Sequence, residues 1–230
     1  MAKYALAGSS AFLMLVLAAC SGSSGAQGLL PATAPTATPG SIAFVGDSIT
    51  AGVMLPGGGG ALNPTQDSPT AYPFLVGKAL GAQVYDLGIG GETIGQAIGA
   101  ELPQIPPSAS TVVIYLGTNN IFGVTNSSTT ALAVSEESQL VSDIRARMPK
   151  ACLLMVALPY PIFSNSFIDA QVDSFDGALA TKNRLVLDLR QEQWTTDASN
   201  YYPGGIHPNP IGNADLAKNV ESSLLAGRCL

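Results

Sequence analysis

Five short runs of apolar, largely β-branched residues recur along the chain, most of them stopped by glycine or proline. They are Ile42–Val45, Val84–Leu87, Thr111–Leu116, Cys152–Leu158 and Leu185–Asp188. Runs this short and this continuously apolar suit strands covered on both faces, as in a parallel sheet. Helical patterns lie between them. Ala71–Leu80 is stopped by Gly81, and Ile94–Ile105 reads as a weak helix or an irregular crossover, interrupted by Pro103 and closed by Pro106-Pro107. Thr129–Met148 is the longest, with Glu136 and Glu137 early and Arg145 and Arg147 late, as the helix dipole favours. Phe167–Lys182 is a further candidate, and a last helix runs from near Pro208 to Ala226. Strand alternating with helix predicts an α/β fold: a three-layer α/β/α sandwich around a parallel, flavodoxin-like sheet of about five strands. No internal repeat is visible.

In such a sheet the carboxyl ends of all strands lie at one edge, where binding crevices form. The first run ends in Gly46-Asp47-Ser48-Ile49-Thr50, which puts a serine on the tight turn after a buried strand. A strand-to-helix turn also aims backbone N–H groups at a developing oxyanion. By itself Gly-Asp-Ser is also ordinary turn chemistry. Its companions are Gly88-Ile89-Gly90-Gly91-Glu92-Thr93 after the second run and Gly117-Thr118-Asn119-Asn120 after the third. The sole histidine, His207, lies in Gly204-Gly205-Ile206-His207-Pro208-Asn209, just before the last helix. These loops share one edge and can converge. Asp47 is expected to hold the serine turn by backbone hydrogen bonds, and Asp86, Asp176 and Asp188 to be structural or exposed. Val53–Ser68, with four consecutive glycines at 57–60, reads as a surface loop near the serine, either a substrate lid or an inert insertion. Gln191–Gly205 reads as a long polar loop holding the only tryptophan, Trp194.

Taken together, the four blocks resemble the SGNH (GDSL) hydrolase family over about Ile42 to Ala226. Gly46–Thr50 is similar to its first block and supplies the nucleophile, Ser48. Gly90–Thr93 resembles the second, with Gly91 in the oxyanion-hole position. Gly117–Asn120 resembles the third, with Asn119 as the family's asparagine and Asn120 where an aspartate is usual. Gly205–Asn209 resembles the last and supplies the catalytic His207. The resemblance implies acyl-ester hydrolysis. Ser48 attacks the carbonyl carbon as His207 takes its proton, and the amides of Ser48 and Gly91 with the Asn119 side chain receive the oxyanion. No metal or organic cofactor is expected, since no cluster of ligand residues stands out.

One departure stands out. The family's last block is Asp-x-x-His, and the residue three before His207 is Gly204. Three readings are open. A backbone carbonyl in the 202–205 loop orients the ring, giving a Ser–His dyad; or Asp197, in the same loop, substitutes for the acid; or the domain is slow or inactive. The first reading predicts that Gly204→Asp raises turnover and that Asp197→Asn leaves it nearly unchanged. An inactive lipoprotein that binds acylated glycan or lipid is the alternative to a serine esterase of small to medium acyl esters.

Ahead of the domain, Lys3 followed by the apolar stretch Ala5–Ala19 has the shape of a secretory signal, too short for a comfortable span. It ends Leu17-Ala18-Ala19-Cys20, which resembles the lipobox of bacterial lipoproteins, with Cys20 the lipidated amino terminus. The expected organisation is a signal peptide at 1–19, lipidated cysteine and Ser/Gly then Pro/Ala/Thr linker at 20–40, and the hydrolase domain at 41–230. Cys152 and Cys229 remain, and in an oxidising envelope they are candidates for a disulfide. The net charge of −6, or −7 once Lys3 leaves, argues against nucleic acid and against an electrostatic grip on anionic membranes. The expectation is a monomer on the bacterial cell envelope (periplasm or outer membrane), tethered by its N-terminal lipid.

Overall fold

The computed structural model describes residues 40–56, 68–122, 126–180 and 185–229. The expected signal, Cys20, most of the linker and most of the glycine-rich 53–68 segment lie outside these. Five strands, β1 (Ser41–Gly46), β2 (Gln83–Asp86), β3 (Thr111–Tyr115), β4 (Cys152–Ala157) and β5 (Leu185–Asp188), form one sheet in the order β2-β1-β3-β4-β5. Every pairing is parallel, for example Ile42 beside Val84 on one side and beside Thr111 on the other. This is the flavodoxin-like order, as expected. The helices are α1 (Tyr72–Leu80), α2 (Ile94–Ala100), α3 (Thr118–Ile121), α4 (Ser127–Arg147), α5 (Ser166–Ala180) and α6 (Pro210–Ala226). α1 packs on α6, while α2 packs on α4 and α4 on α5. The result is three layers.

Burial explains why the strands read so plainly. Ile42–Val45, Val112–Tyr115 and Leu153–Ala157 are all buried, so no face is left for polar residues. The helix starts follow capping chemistry. Thr93 and Gln96 form a reciprocal capping box on α2, and the Asn126 side chain accepts the Ser128 and Thr129 N–H groups at α4. Asn209 caps α6 immediately before Pro210.

Two stretches that the sequence left irregular take definite form. The 94–105 stretch is not one helix: α2 stops at Ala100, and a single 3-10 turn, Leu102–Gln104, accommodates Pro103. The polar loop after β5 is folded into 3-10 turns at Leu189–Gln191, Gln193–Thr196 and Ala198–Asn200. Trp194 anchors it, donating to Asn219 Oδ1 at 2.7 Å and stacking on Tyr201. Cys152 and Cys229 are joined by a disulfide with Cα atoms 5.3 Å apart. It ties the chain end to the start of β4, and Thr111 Oγ1 adds a hydrogen bond to the Cys229 carbonyl at 2.6 Å. Among the described residues no helix is long and apolar enough to cross a membrane.

Candidate active site

The sheet order fixes where a site forms. β1 lies between β2 and β3, so the chain leaves β1 to one side and returns past it to reach β3. The loops after β1 and β3 therefore diverge, and the crevice between them is the switch point of the fold. Ser48 follows β1 and Asn119 follows β3, so both lie at that crevice.

The serine turn is held from several directions. Asp47 is fully buried, and its Oδ1 accepts the Ile49 N–H at 3.0 Å, the role the sequence indicated. Burial raises its pKa to about 6, with the Ile49 N–H opposing. Thr50 shares a hydrogen bond of 2.9 Å with the hydroxyl of Tyr72, itself fully buried on α1 between the rings of Phe44 and Tyr115. Gly46 has no space for a side chain: a Cβ there would collide with Thr50 and lie 2.9 Å from the Tyr115 carbonyl.

His207 reaches the serine by a long detour. The 201–208 segment closes on itself, with the Tyr202 N–H donating to the His207 carbonyl at 2.9 Å and the Gly205 N–H to the Tyr202 carbonyl at 3.1 Å. Gly204 and Gly205 adopt φ of 108° and 69°, a region that L side chains rarely enter. The loop is then clamped to α1 by Asn213, a buried side chain on α6. Its Nδ2 donates to the Pro208 carbonyl at 2.7 Å, and its Oδ1 accepts the Tyr72 N–H at 3.1 Å. The outcome is a hydrogen bond of 2.9 Å between His207 Nε2 and Ser48 Oγ. The ring is half-buried, and desolvation moves its pKa below the usual histidine range, which favours the neutral imidazole.

The donor groups are arranged as follows. The N–H groups of Ser48 and Gly91 have no acceptor among the described residues. Asn119 Nδ2 donates to the Glu92 carbonyl at 2.8 Å, and the amide keeps a second hydrogen free. Asn120 serves the local structure, its Oδ1 accepting the Ile94 N–H at the start of α2 at 3.0 Å. Ser48, Thr118, Asn119, Phe122, Phe163, Ile206 and His207 line a cavity of about 280 Å³. Gly91 is not in that lining; it borders a neighbouring cavity with Gly90, Glu92 and Gln96. Phe163 also faces a third cavity, of about 500 Å³, walled by Tyr201, Tyr202, Pro203 and Gly204.

Asp197 is not brought to His207. It is fully exposed, and its Oδ1 accepts the Ser199 N–H at 2.9 Å, capping the Ala198–Asn200 turn. That bond holds its pKa below the usual carboxylate range. Nor does the 202–205 backbone supply an acceptor: the hydrogen bond to Ser48 is the one the ring makes among the described residues. Asp176 and Asp188 are structural, gathered with Asp173 around Arg190. The described residues hold no group of histidine, cysteine and acidic side chains suited to a metal ion. Sequence reasoning did not single out Asn213, Tyr72, Phe122 or Phe163. The Asn209–Pro210 cap was a legible signal for the start of α6, but which α6 side chain turns inward depends on packing against α1.

Solved structures share the fold. One is that of TesA, 21% identical, covering 80% of this chain and 97% of that chain with a TM-score of 0.65. Another is phospholipase A1 from Streptomyces albidoflavus NA297, 16% identical over 81% of this chain and 100% of that one, TM-score 0.63. A third is the psychrotrophic esterase EstA from Pseudoalteromonas sp., 18% identical over 82% and 98%, TM-score 0.61. No curated protein sequence matches significantly. Residues 44–214, which run from within β1 past His207 into α6, match the profile of one family, so the chain belongs to the GDSL-like lipase/acylhydrolase family and is a carboxylic ester hydrolase.

Proposed function

We propose that the protein hydrolyses small to medium acyl esters through Ser48 and His207, with the oxyanion received by the N–H groups of Ser48 and Gly91 and by Asn119 Nδ2. The observation that carries this reading is the 2.9 Å contact between Ser48 Oγ and His207 Nε2 at the switch point of the sheet. Ser48 Oγ attacks the acyl carbon as neutral His207 accepts its proton. The imidazolium then protonates the leaving alkoxide, giving the alcohol and an acyl-serine. Water attacks that ester, His207 again takes the proton, and its return to Ser48 Oγ releases the carboxylic acid. Each oxyanion donor is worth on the order of 3 kcal/mol of barrier. The cavity at Ser48, about 280 Å³ and walled by Phe122 and Phe163, is at the small end for ligand sites, which supports short acyl groups.

The rival is a binding protein without turnover, favoured by the lack, among the described residues, of a carboxylate at the second ring nitrogen. A fluorophosphonate probe distinguishes the two. The esterase labels at Ser48 and cleaves a p-nitrophenyl ester series with its maximum at short chains; absence of both labelling and cleavage would leave the binding protein. We place the enzyme on the bacterial envelope, tethered through lipidated Cys20 as a monomer. The disulfide agrees with an oxidising compartment. Cys20→Ser is expected to shift the protein from the membrane to the soluble fraction; retention at the membrane counts against the lipid anchor.

A further inference from the structure

Two buried acids beneath the site have no part in the mechanism above. Glu101, at the end of α2, is fully buried, and its Oε2 accepts the N–H of Gly46, the last residue of β1, at 2.8 Å. Glu92, also buried, directly follows Gly91, and its carbonyl accepts Asn119 Nδ2 at 2.8 Å. The Glu92 side chain lies close enough to that of Glu101 to oppose its ionisation. Yet Glu92 Oε2 and Glu101 Oε1 find no donor among the protein groups around them. Ionised carboxylates only accept, so such a pair holds together only when one member carries a proton. A proton on Glu101 supplies a donor where both side chains otherwise only accept.

We propose that Glu101 is a positioning residue: a proton shared with Glu92 ties the strand that delivers Ser48 to the loop that carries Gly91 and orients Asn119, keeping nucleophile and oxyanion donors in register. The proposal rests on the esterase reading for its effect on turnover, but not for the shared proton itself. The surroundings favour the protonated pair. Burial first, then Glu92 and Asp47, oppose ionisation of Glu101, against the Gly46 N–H alone; its pKa is pushed up to about 11. From α1 the neutral Tyr72 faces the same interior. On α4, Glu136 approaches Asn120, and the cation Arg147 is committed to the carbonyls of Leu102 and Pro103.

The test combines infrared spectroscopy with kinetics on the full chain. At about pH 9, Asp47 and Asp176, with pKa values near 6 and 7, are ionised. A C=O band of a protonated carboxylic acid is expected to persist there in the wild type and to vanish in Glu101→Gln. The amide can still accept from Gly46 and donate to Glu92, so Glu101→Gln keeps kcat within about threefold. Glu101→Leu loses about 10²-fold in kcat with KM nearly unchanged, the size expected for a small misplacement. If the leucine variant does not fold, Glu92→Ala serves instead, with the same kcat loss. Absence of the band in the wild type, or a folded Glu101→Leu or Glu92→Ala with wild-type kcat, overturns the proposal. If the wild type neither labels nor hydrolyses, it is the esterase reading that fails, and the band alone then decides for or against the shared proton.

Discussion

Ser48 and His207 meet at 2.9 Å, but the two halves of the site reach that contact by different means. The serine leaves a strand paired on both sides, and its turn is held by the Asp47–Ile49 and Thr50–Tyr72 hydrogen bonds within a solid core. The histidine comes from a loop well beyond the last strand, shaped by two glycines at positive φ and clamped by Asn213. Its ring has Ser48 as its hydrogen-bond partner among the described residues, where a full triad would add a carboxylate. The serine is placed by the sheet. The histidine is placed by a clamp on its backbone and by Ser48 itself.

Removing the shared contact is the strongest way to break this comparison. Ser48→Ala and His207→Ala are each expected to cost at least about 10⁴-fold in kcat, measured on a short-chain ester. They should differ in one respect. Ser48→Ala takes away the ring's partner, so His207 ring signals in NMR broaden, while His207→Ala leaves the turn from Asp47 to Thr50 ordered. A sharp, unchanged imidazole in Ser48→Ala would mean that something else orients the ring.

The clamp comes next. Asn213→Leu removes the bridge between the Pro208 carbonyl and the Tyr72 N–H, leaving both buried groups unsatisfied at about 1–3 kcal/mol each. A loss of roughly 10²-fold in kcat is expected from the displaced imidazole, with fluorophosphonate labelling slowed in parallel. Equal labelling rates in the variant and the wild type would show that the loop holds its place without Asn213.

The pH profile sharpens the same contrast without a mutation. With neutral His207 as the proposed base, kcat/KM is expected to rise with pH as the ring loses its proton. A triad carboxylate would favour the imidazolium and move that limb up; here desolvation, unopposed, moves it down. The acidic limb is therefore expected at a midpoint below the usual ~6.5 of histidine. A midpoint above that value would reveal a carboxylate near the ring.

How much of this was legible in the sequence follows the same division. Everything resting on buried strands could be read, because Ile42–Val45 and Thr111–Leu116 have no polar alternation and stop at glycine. The serine turn, the Asn119 loop and the sheet order came with them. The tertiary links could not be read. Asn213 and Tyr72 pair across α6 and α1, and Glu101 reaches Gly46 from the end of α2; no local pattern marks an asparagine, tyrosine or glutamate for such a contact. The missing acid was visible at Gly204, but whether another group replaces it depended on the path of the 189–209 segment. Its 3-10 turns use Asp197 as a cap, and Asp197 is thereby turned outward.

The smallest effects lie on the acid itself. Asp197→Asn keeps a side-chain oxygen for the Ser199 N–H, so both capping and activity are expected within about twofold of the wild type. The sequence alone suggested that Gly204→Asp would restore a triad and raise turnover. The backbone says otherwise. A Cβ at position 204 meets nothing within 4 Å, so there is room for a side chain, but the φ of 108° is one that aspartate adopts only under strain. Holding it there costs about 1–3 kcal/mol, which for a chain of this size lowers Tm by several degrees. Relaxing φ instead moves the loop that carries His207, so the new carboxylate arrives only by disturbing the ring it is meant to support. Turnover is therefore expected to stay level or fall. A clear rise in kcat, together with an upward shift of the acidic limb, would show that this loop can be reshaped into a triad at little cost.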